Sequence, residues 1–95
     1  MSYEVRLAPA AARQFRKLPG KTKAGVRKAL EKVADRPAGS RGGKSLKKLR
    51  GKDGDLFRLR VGDHRVMFDI LDADRVILVL GIVSRGDLER WLRGR

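Results

Sequence analysis

Hydrophobic and polar positions alternate from the start of the chain. In YEVRLA (3–8), Tyr3, Val5 and Leu7 fall on one side and Glu4 and Arg6 on the other, the period-two pattern of a half-buried strand. The period changes at Pro9, which suits a first helical turn because its missing N–H has no intrahelical partner there. Ala11, Phe15 and Leu18 then recur at i, i+4 and i+7 as a narrow apolar stripe, and Pro19-Gly20 ends the helix. A second helix is predicted from about Thr22 to Asp35, with Val26, Ala29, Leu30 and Val33 inward. Lys21, Lys23, Arg27, Lys28 and Lys32 lie mostly outward. Two short amphipathic helices with so tight a link form a helical hairpin lying on a sheet.

RPAGSRGGK (36–44) reads as a loop. Strands follow over SLKKLRG (45–51), DLFRLRV (55–61), HRVMFDIL (64–71) and RVILVLGIV (75–83). Their links, Lys52-Asp53-Gly54, Gly62-Asp63 and Asp72-Ala73-Asp74, are too short for parallel crossovers and require antiparallel hairpins. GDLERWLRGR (86–95) reads as a short helix with Leu88, Trp91 and Leu92 on one side. The predicted fold class is α+β: an N-terminal strand, a two-helix hairpin packed on a four-stranded, largely antiparallel sheet, and a short C-terminal helix, as one domain over residues 1–95.

Charge sharpens the picture. The 95 residues carry 24 Lys and Arg against 11 Asp and Glu, a formal +13. The excess is local: residues 9–35 hold eight bases against two acids and residues 36–65 ten against three, whereas 66–95 balance at five of each. A domain charged in this way reads as a polyanion binder, with a generally cationic, soluble surface as the alternative. The absence of cysteine excludes disulfides, thiolate metal sites and a cysteine nucleophile, and one histidine, His64, argues against a histidine-based metal site. No cofactor or metal is expected. The longest apolar run, VILVLGIV (76–83), is too short to span a bilayer, and no signal peptide is recognised. The expectation is a cytoplasmic protein with no membrane partner.

Several motifs bear on chemistry. AGSRGGKS (38–45) fits a relaxed phosphate-loop pattern, but such a loop must follow a strand and open a helix, and here the order is reversed; a flexible basic loop is the better account. In DLFRLRV, Phe57, Leu59 and Val61 share one face, and Arg58 and Arg60 share the other with Leu56. Arg65 starts the next strand and Arg85 closes the last. If the sheet packs its apolar face on the helices, four guanidiniums converge on the opposite face, where their forks match phosphate oxygens. The alternative is a solvated strand face paired with Asp55, Asp63, Asp69 and Asp87. Asp53, Asp55, Asp63, Asp72 and Asp74 sit in or beside turns, spread too widely for a two-metal site. His64 is a candidate general base or a polar strand residue, and Trp91 either stacks on a base or packs the last helix.

The residues YEVRLAPAAARQFRKL (3–18), KLRG (48–51), FRLRVGDHRVMFDI (57–70) and VSRGDLERW (83–91), taken in this order, carry a resemblance to the RelE/ParE superfamily of type II toxin–antitoxin toxins, nearer the RelE branch. The resemblance implies a small basic toxin, held in a hetero-oligomer by an antitoxin with an acidic, helical segment. RelE-like members cleave mRNA on the ribosome without metal, the ribose 2′-OH attacking the adjacent phosphate; ParE-like members inhibit DNA gyrase instead. On the RelE pattern, Arg58 and Arg60 fall where that family often has catalytic lysines, and Arg65 and Arg85 match its phosphate-gripping arginines. Trp91 stands where a tyrosine assists the chemistry, and His64 replaces a common tyrosine. Lys44, Lys47, Lys48 and Arg50 are the residues expected to dock RNA. Arginine is too basic to take a proton and an indole does not pass one, so His64 is the remaining candidate base. A ribosome-dependent mRNA endoribonuclease leads, with a gyrase inhibitor and a non-toxic RNA-binding module as rivals.

Overall fold

The computed structural model describes residues 2–36, 46–51 and 54–94, with side chains over 2–36 and 56–94. The elements are β1 (Glu4–Leu7), α1 (Pro9–Arg16), α2 (Gly20–Asp35), β2 (Leu46–Gly51), β3 (Gly54–Val61), β4 (His64–Leu71), β5 (Val76–Ser84), a 3₁₀ turn (Arg85–Asp87) and α3 (Leu88–Arg93). The expected phosphate-loop lookalike at 38–45 and the turn at 52–53 lie outside the described residues. Strands β2 to β5 form antiparallel neighbours, as their short links require. The N-terminal strand joins them as a fifth, parallel to β5, in the order β1-β5-β4-β3-β2.

Three helices differ at a boundary from the sequence expectation, the first two for a local reason. Helix α2 starts at Gly20, two residues before Thr22, because Pro19 serves as its N-cap: the Pro19 carbonyl accepts the Lys23 N–H at 2.8 Å, and a cap needs no N–H of its own. Helix α1 ends at Arg16, after which the Lys17 and Leu18 N–H groups donate to Gln14 and Phe15 in a tightened last turn. The C-terminal helix predicted over 86–95 opens as the 3₁₀ turn and is α-helical only from Leu88 to Arg93.

Alternation along the strands decides which face meets the helices. Phe57, Leu59, Val66, Phe68, Ile77, Val79 and Ile82 form the main core with Ala11, Val26, Leu30 and Val33 of the helices. Phe57 and Phe68 stack at 5.7 Å across the β3–β4 pair. Beyond Leu7, where β1 stops pairing with β5, helix α1 takes over the strand edge. Ala8 N–H donates to Val79 O at 2.8 Å, and Gln14 Oε1 accepts the Ile82 N–H at 2.7 Å, a donor that the end of β1 would otherwise leave unpaired. The opposite face carries a smaller cluster of Leu56, Met67 and Leu88, packed by Leu80, Val83, Trp91 and Leu92, so α3 and the α1–α2 hairpin lie on opposite sides of the sheet. Among the described residues no helix is long and apolar enough to cross a membrane.

Candidate functional site

The face that carries α3 also carries the arginines. Strand register sets Arg60 opposite Arg65, with Val83 beyond it on β5, and sets Arg58 opposite Met67, with Gly81 beyond it. Arg58, Arg60 and Arg65 are therefore one side of the β3–β4 hairpin by the same parity that sends Phe57, Leu59 and Val66 to the core. Arg85 arrives from the 3₁₀ turn after β5. Its backbone N–H donates to Asp63 O at 2.7 Å, which ties it to the Gly62-Asp63 turn that precedes Arg65.

That turn also holds the Arg65 side chain. Gly62 adopts φ +58, in the left-handed region where glycine is unstrained. Its carbonyl accepts a hydrogen bond from Arg65 Nη1 at 3.2 Å, and the His64 carbonyl accepts another at 3.0 Å. Arg65 is only 8% exposed, the single charged residue buried among those described. Burial lowers its pKa below the usual arginine value, the guanidiniums of Arg60, Arg58 and Arg85 lower it further, and Asp63 opposes them. A guanidinium starts so far above neutrality that it stays protonated.

Register therefore gathers three of these cations on one hairpin face, and the Asp63 tether brings the Arg85 backbone to its edge. Among the described residues no carboxylate forms an ion pair with Arg58, Arg60, Arg65 or Arg85. Asp87 is engaged elsewhere, accepting from Ser84 Oγ at 2.9 Å and lying 3.7 Å from Arg90. Arg58 is half-buried, and Arg60 and Arg85 are exposed, so the cluster opens to solvent. One fixed, desolvated cation ringed by adjustable ones suits an anion with several oxygens, such as a phosphodiester. Among the described residues no group of three or more acidic or histidine side chains could hold a metal ion.

The other candidate residues are placed differently. His64 lies opposite Val61 and Ser84, one position out of phase with Arg65, and so belongs to the helix-side face, away from the guanidiniums. Trp91 packs: with Leu88 and Leu92 it seats α3 on the sheet, its indole against the bare Cα of Gly81. Of Lys47, Lys48 and Arg50 the structure describes only the backbone, in β2, where Lys47 stands opposite Arg58 and Lys48 opposite Phe57; Lys44 lies outside the described residues. Gly81 and the carbonyls of the 62–64 turn were not among the sequence candidates. A glycine inside an apolar strand run does signal close approach by another group, which is what the indole makes.

Comparisons with known proteins agree with this architecture. The chain is similar to the RelE–RelB complex of the archaeon Pyrococcus horikoshii OT3, with 28% identity, 90% of this chain and 98% of that one covered, and a TM-score of 0.75. It is similar to the RelBE2 toxin–antitoxin complex of Mycobacterium tuberculosis, with 27% identity, 90% and 100% coverage and a TM-score of 0.72. The fold also matches that of the YoeB dimer of Staphylococcus aureus, at 18% identity, 88% and 98% coverage and a TM-score of 0.69. Comparison with curated proteins finds no match.

The overall fold is thus shared with toxins crystallised with their antitoxins. A family model described as the ParE toxin of the type II toxin–antitoxin system, parDE, matches residues 5–89, and the protein belongs to this family, within the RelE/ParE superfamily.

Proposed function

We propose that this toxin is a metal-independent, ribosome-dependent mRNA endoribonuclease that arrests translation. The observation that carries the reading is the placement of Arg58, Arg60 and Arg65 on one side of the β3–β4 hairpin, with Arg85 tethered to its turn and no carboxylate ion pair to any of them among the described residues. In the proposed reaction the ribose 2′-oxygen bonds to the adjacent phosphorus as the P–O5′ bond breaks. The 2′-hydroxyl gives up its proton, the 5′-oxygen gains one, and a 2′,3′-cyclic phosphate remains. Negative charge gathers on the phosphoryl oxygens in the transition state, where positioned guanidiniums stabilise it. Arg65 holds one oxygen from a fixed position, and Arg58, Arg60 and Arg85 close around the others. The arginines supply charge and no base, since guanidinium does not deprotonate, and His64 occupies the other face. Proton transfer then falls to the mRNA–ribosome complex and solvent.

The proposed partners are the ribosome, its mRNA, and a cognate antitoxin whose acidic, helical segment covers the basic face in a hetero-oligomer. Complexes of similar toxins with RelB antitoxins support this last part. A second reading, inhibition of DNA gyrase without cleavage, is supported by the ParE family model together with arginines where a nuclease would need a group able to take a proton.

Primer extension on mRNA from induced cells, beside a supercoiling assay, tests both readings. Cleavage ends should appear with the wild-type chain, and Arg65→Ala or Arg85→Ala should each reduce their rate by about 10²–10³, the usual cost of removing one transition-state donor. Intact mRNA with blocked supercoiling would establish the gyrase reading instead.

A further inference from the structure

The arginine face accounts for less than half of the excess charge. The α1–α2 hairpin, on the far side of the sheet, carries eight bases against two acids. Arg13, Arg16, Lys17, Lys21, Arg27 and Lys28 are all exposed, and among the described residues none forms an ion pair with a carboxylate. Phe15, the aromatic residue of this layer, is half-buried beneath Lys23 and Arg27, whose charges lie 5.7 and 5.9 Å from its ring centre. The outward positions are otherwise small or polar: Pro9, Ala10, Ala24, Glu31 and Asp35.

We infer that this hairpin face is a second docking surface for the phosphate backbone of duplex RNA, independent of the arginine face and blind to sequence. The composition of the face selects the partner. A protein interface needs a broad apolar or aromatic centre, whereas the apolar residues nearest this face, Val5, Leu7, Phe15 and Leu30, line only a small cavity of about 290 Å³ beside Arg27 and Glu31. Binding in a membrane surface requires bulky apolar residues facing the lipid, yet the apolar side of each helix is spent on the sheet. A phosphate backbone asks only for spaced cations, and each contact gains by releasing condensed counterions. Lys21 and Lys28 lie seven residues apart, about 10 Å along the helix axis and close to one azimuth, so that both can meet one backbone. Because the sheet separates the two basic faces, RNA on the hairpin leaves the arginines open to a second strand.

The test is a salt titration of the full-length chain with a fluorescein-labelled, 16-base-pair RNA duplex of arbitrary sequence. The quadruple variant Arg13→Gln, Arg16→Gln, Lys21→Gln, Lys28→Gln changes only exposed side chains, and circular dichroism checks its fold. Its slope of log K against log salt should be shallower than that of the wild type by about 3. Lys21→Arg with Lys28→Arg should keep the wild-type slope. With donor- and acceptor-labelled duplexes, wild type should bridge the two and give energy transfer, and the quadruple variant should not. An unchanged slope in a folded quadruple variant would overturn the inference. So would unchanged RNA binding accompanied by lost affinity for the antitoxin or for anionic phosphatidylserine vesicles. None of these readouts depends on mRNA cleavage, so failure of the nuclease reading leaves this result interpretable.

Discussion

Replacing Gly81 by alanine should loosen α3 from the sheet. A Cβ at this position would lie 2.4 Å from Trp91 Nε1, 2.5 Å from Cε2 and 2.8 Å from Cζ2, against an ordinary contact of 3.4–4 Å. The indole must therefore retreat by about 1 Å, or the helix must lift. Helix α3 is six residues long and held by Leu88, Trp91 and Leu92, too short to stand alone. Overpacking of this kind costs about 1–3 kcal/mol, and complete loss of the Trp91 seat sets an upper bound of about 3–5 kcal/mol. For a chain of this size each kcal/mol lowers Tm by about 4–8 °C. Trp91 is the only tryptophan, so its emission reports on α3 alone. Gly81→Ala should shift that emission to the red, raise its quenching by acrylamide and lower Tm. A double-mutant cycle isolates the contact: in a Trp91→Ala background, Gly81→Ala should cost close to nothing. Equal cost in both backgrounds, or unchanged emission in the single variant, would show that the indole does not occupy this seat.

Other perturbations probe the remaining joints. Gln14→Leu leaves the buried Ile82 N–H without its acceptor and should cost about 1–3 kcal/mol, measured by urea unfolding. Arg65→Met removes a buried charge from the field of three others at the loss of two carbonyl hydrogen bonds; stability should hold or rise while toxicity is lost, seen by comparing Tm with growth arrest. Because burial and neighbouring cations lower the Arg65 pKa in the fold, the unfolded chain binds its proton more tightly, and stability attributable to Arg65 rises with pH only on approach to arginine titration. Between pH 5 and 8 the difference in unfolding free energy between wild type and Arg65→Met should stay flat. At ten times its dissociation constant, sulfate or phosphate should stabilise the fold by about 1.4 kcal/mol beyond chloride at equal ionic strength, seen as a higher Tm, and Arg58→Gln with Arg60→Gln should reduce that excess.

Much of the fold was legible because it follows from local rules. Period-two alternation in 55–61 and 64–71 identifies both strands and divides Arg58, Arg60 and Arg65 from Phe57, Leu59 and Val66. The two-residue Gly62-Asp63 link forces the hairpin that brings Arg65 beside Arg60. Charge counts alone locate the basic excess in the hairpin and the middle strands. The same rule separates His64 from Arg65: sequence adjacency within a strand places the two on opposite faces.

Other features exist only once distant segments meet. The parallel pairing of β1 with β5 joins residues about seventy positions apart, and Gln14 accepts from Ile82 across 68. The burial of Arg65, its carbonyl clamp and the tether from Arg85 to Asp63 depend on how the β3–β4 turn meets the end of β5. Periodicity reports which side of an element is apolar, because burial leaves its mark on every turn or pleat. It is silent on which polar group satisfies a given N–H, and on which aromatic ring a glycine admits, because such contacts are chosen by the packing of whole elements against one another.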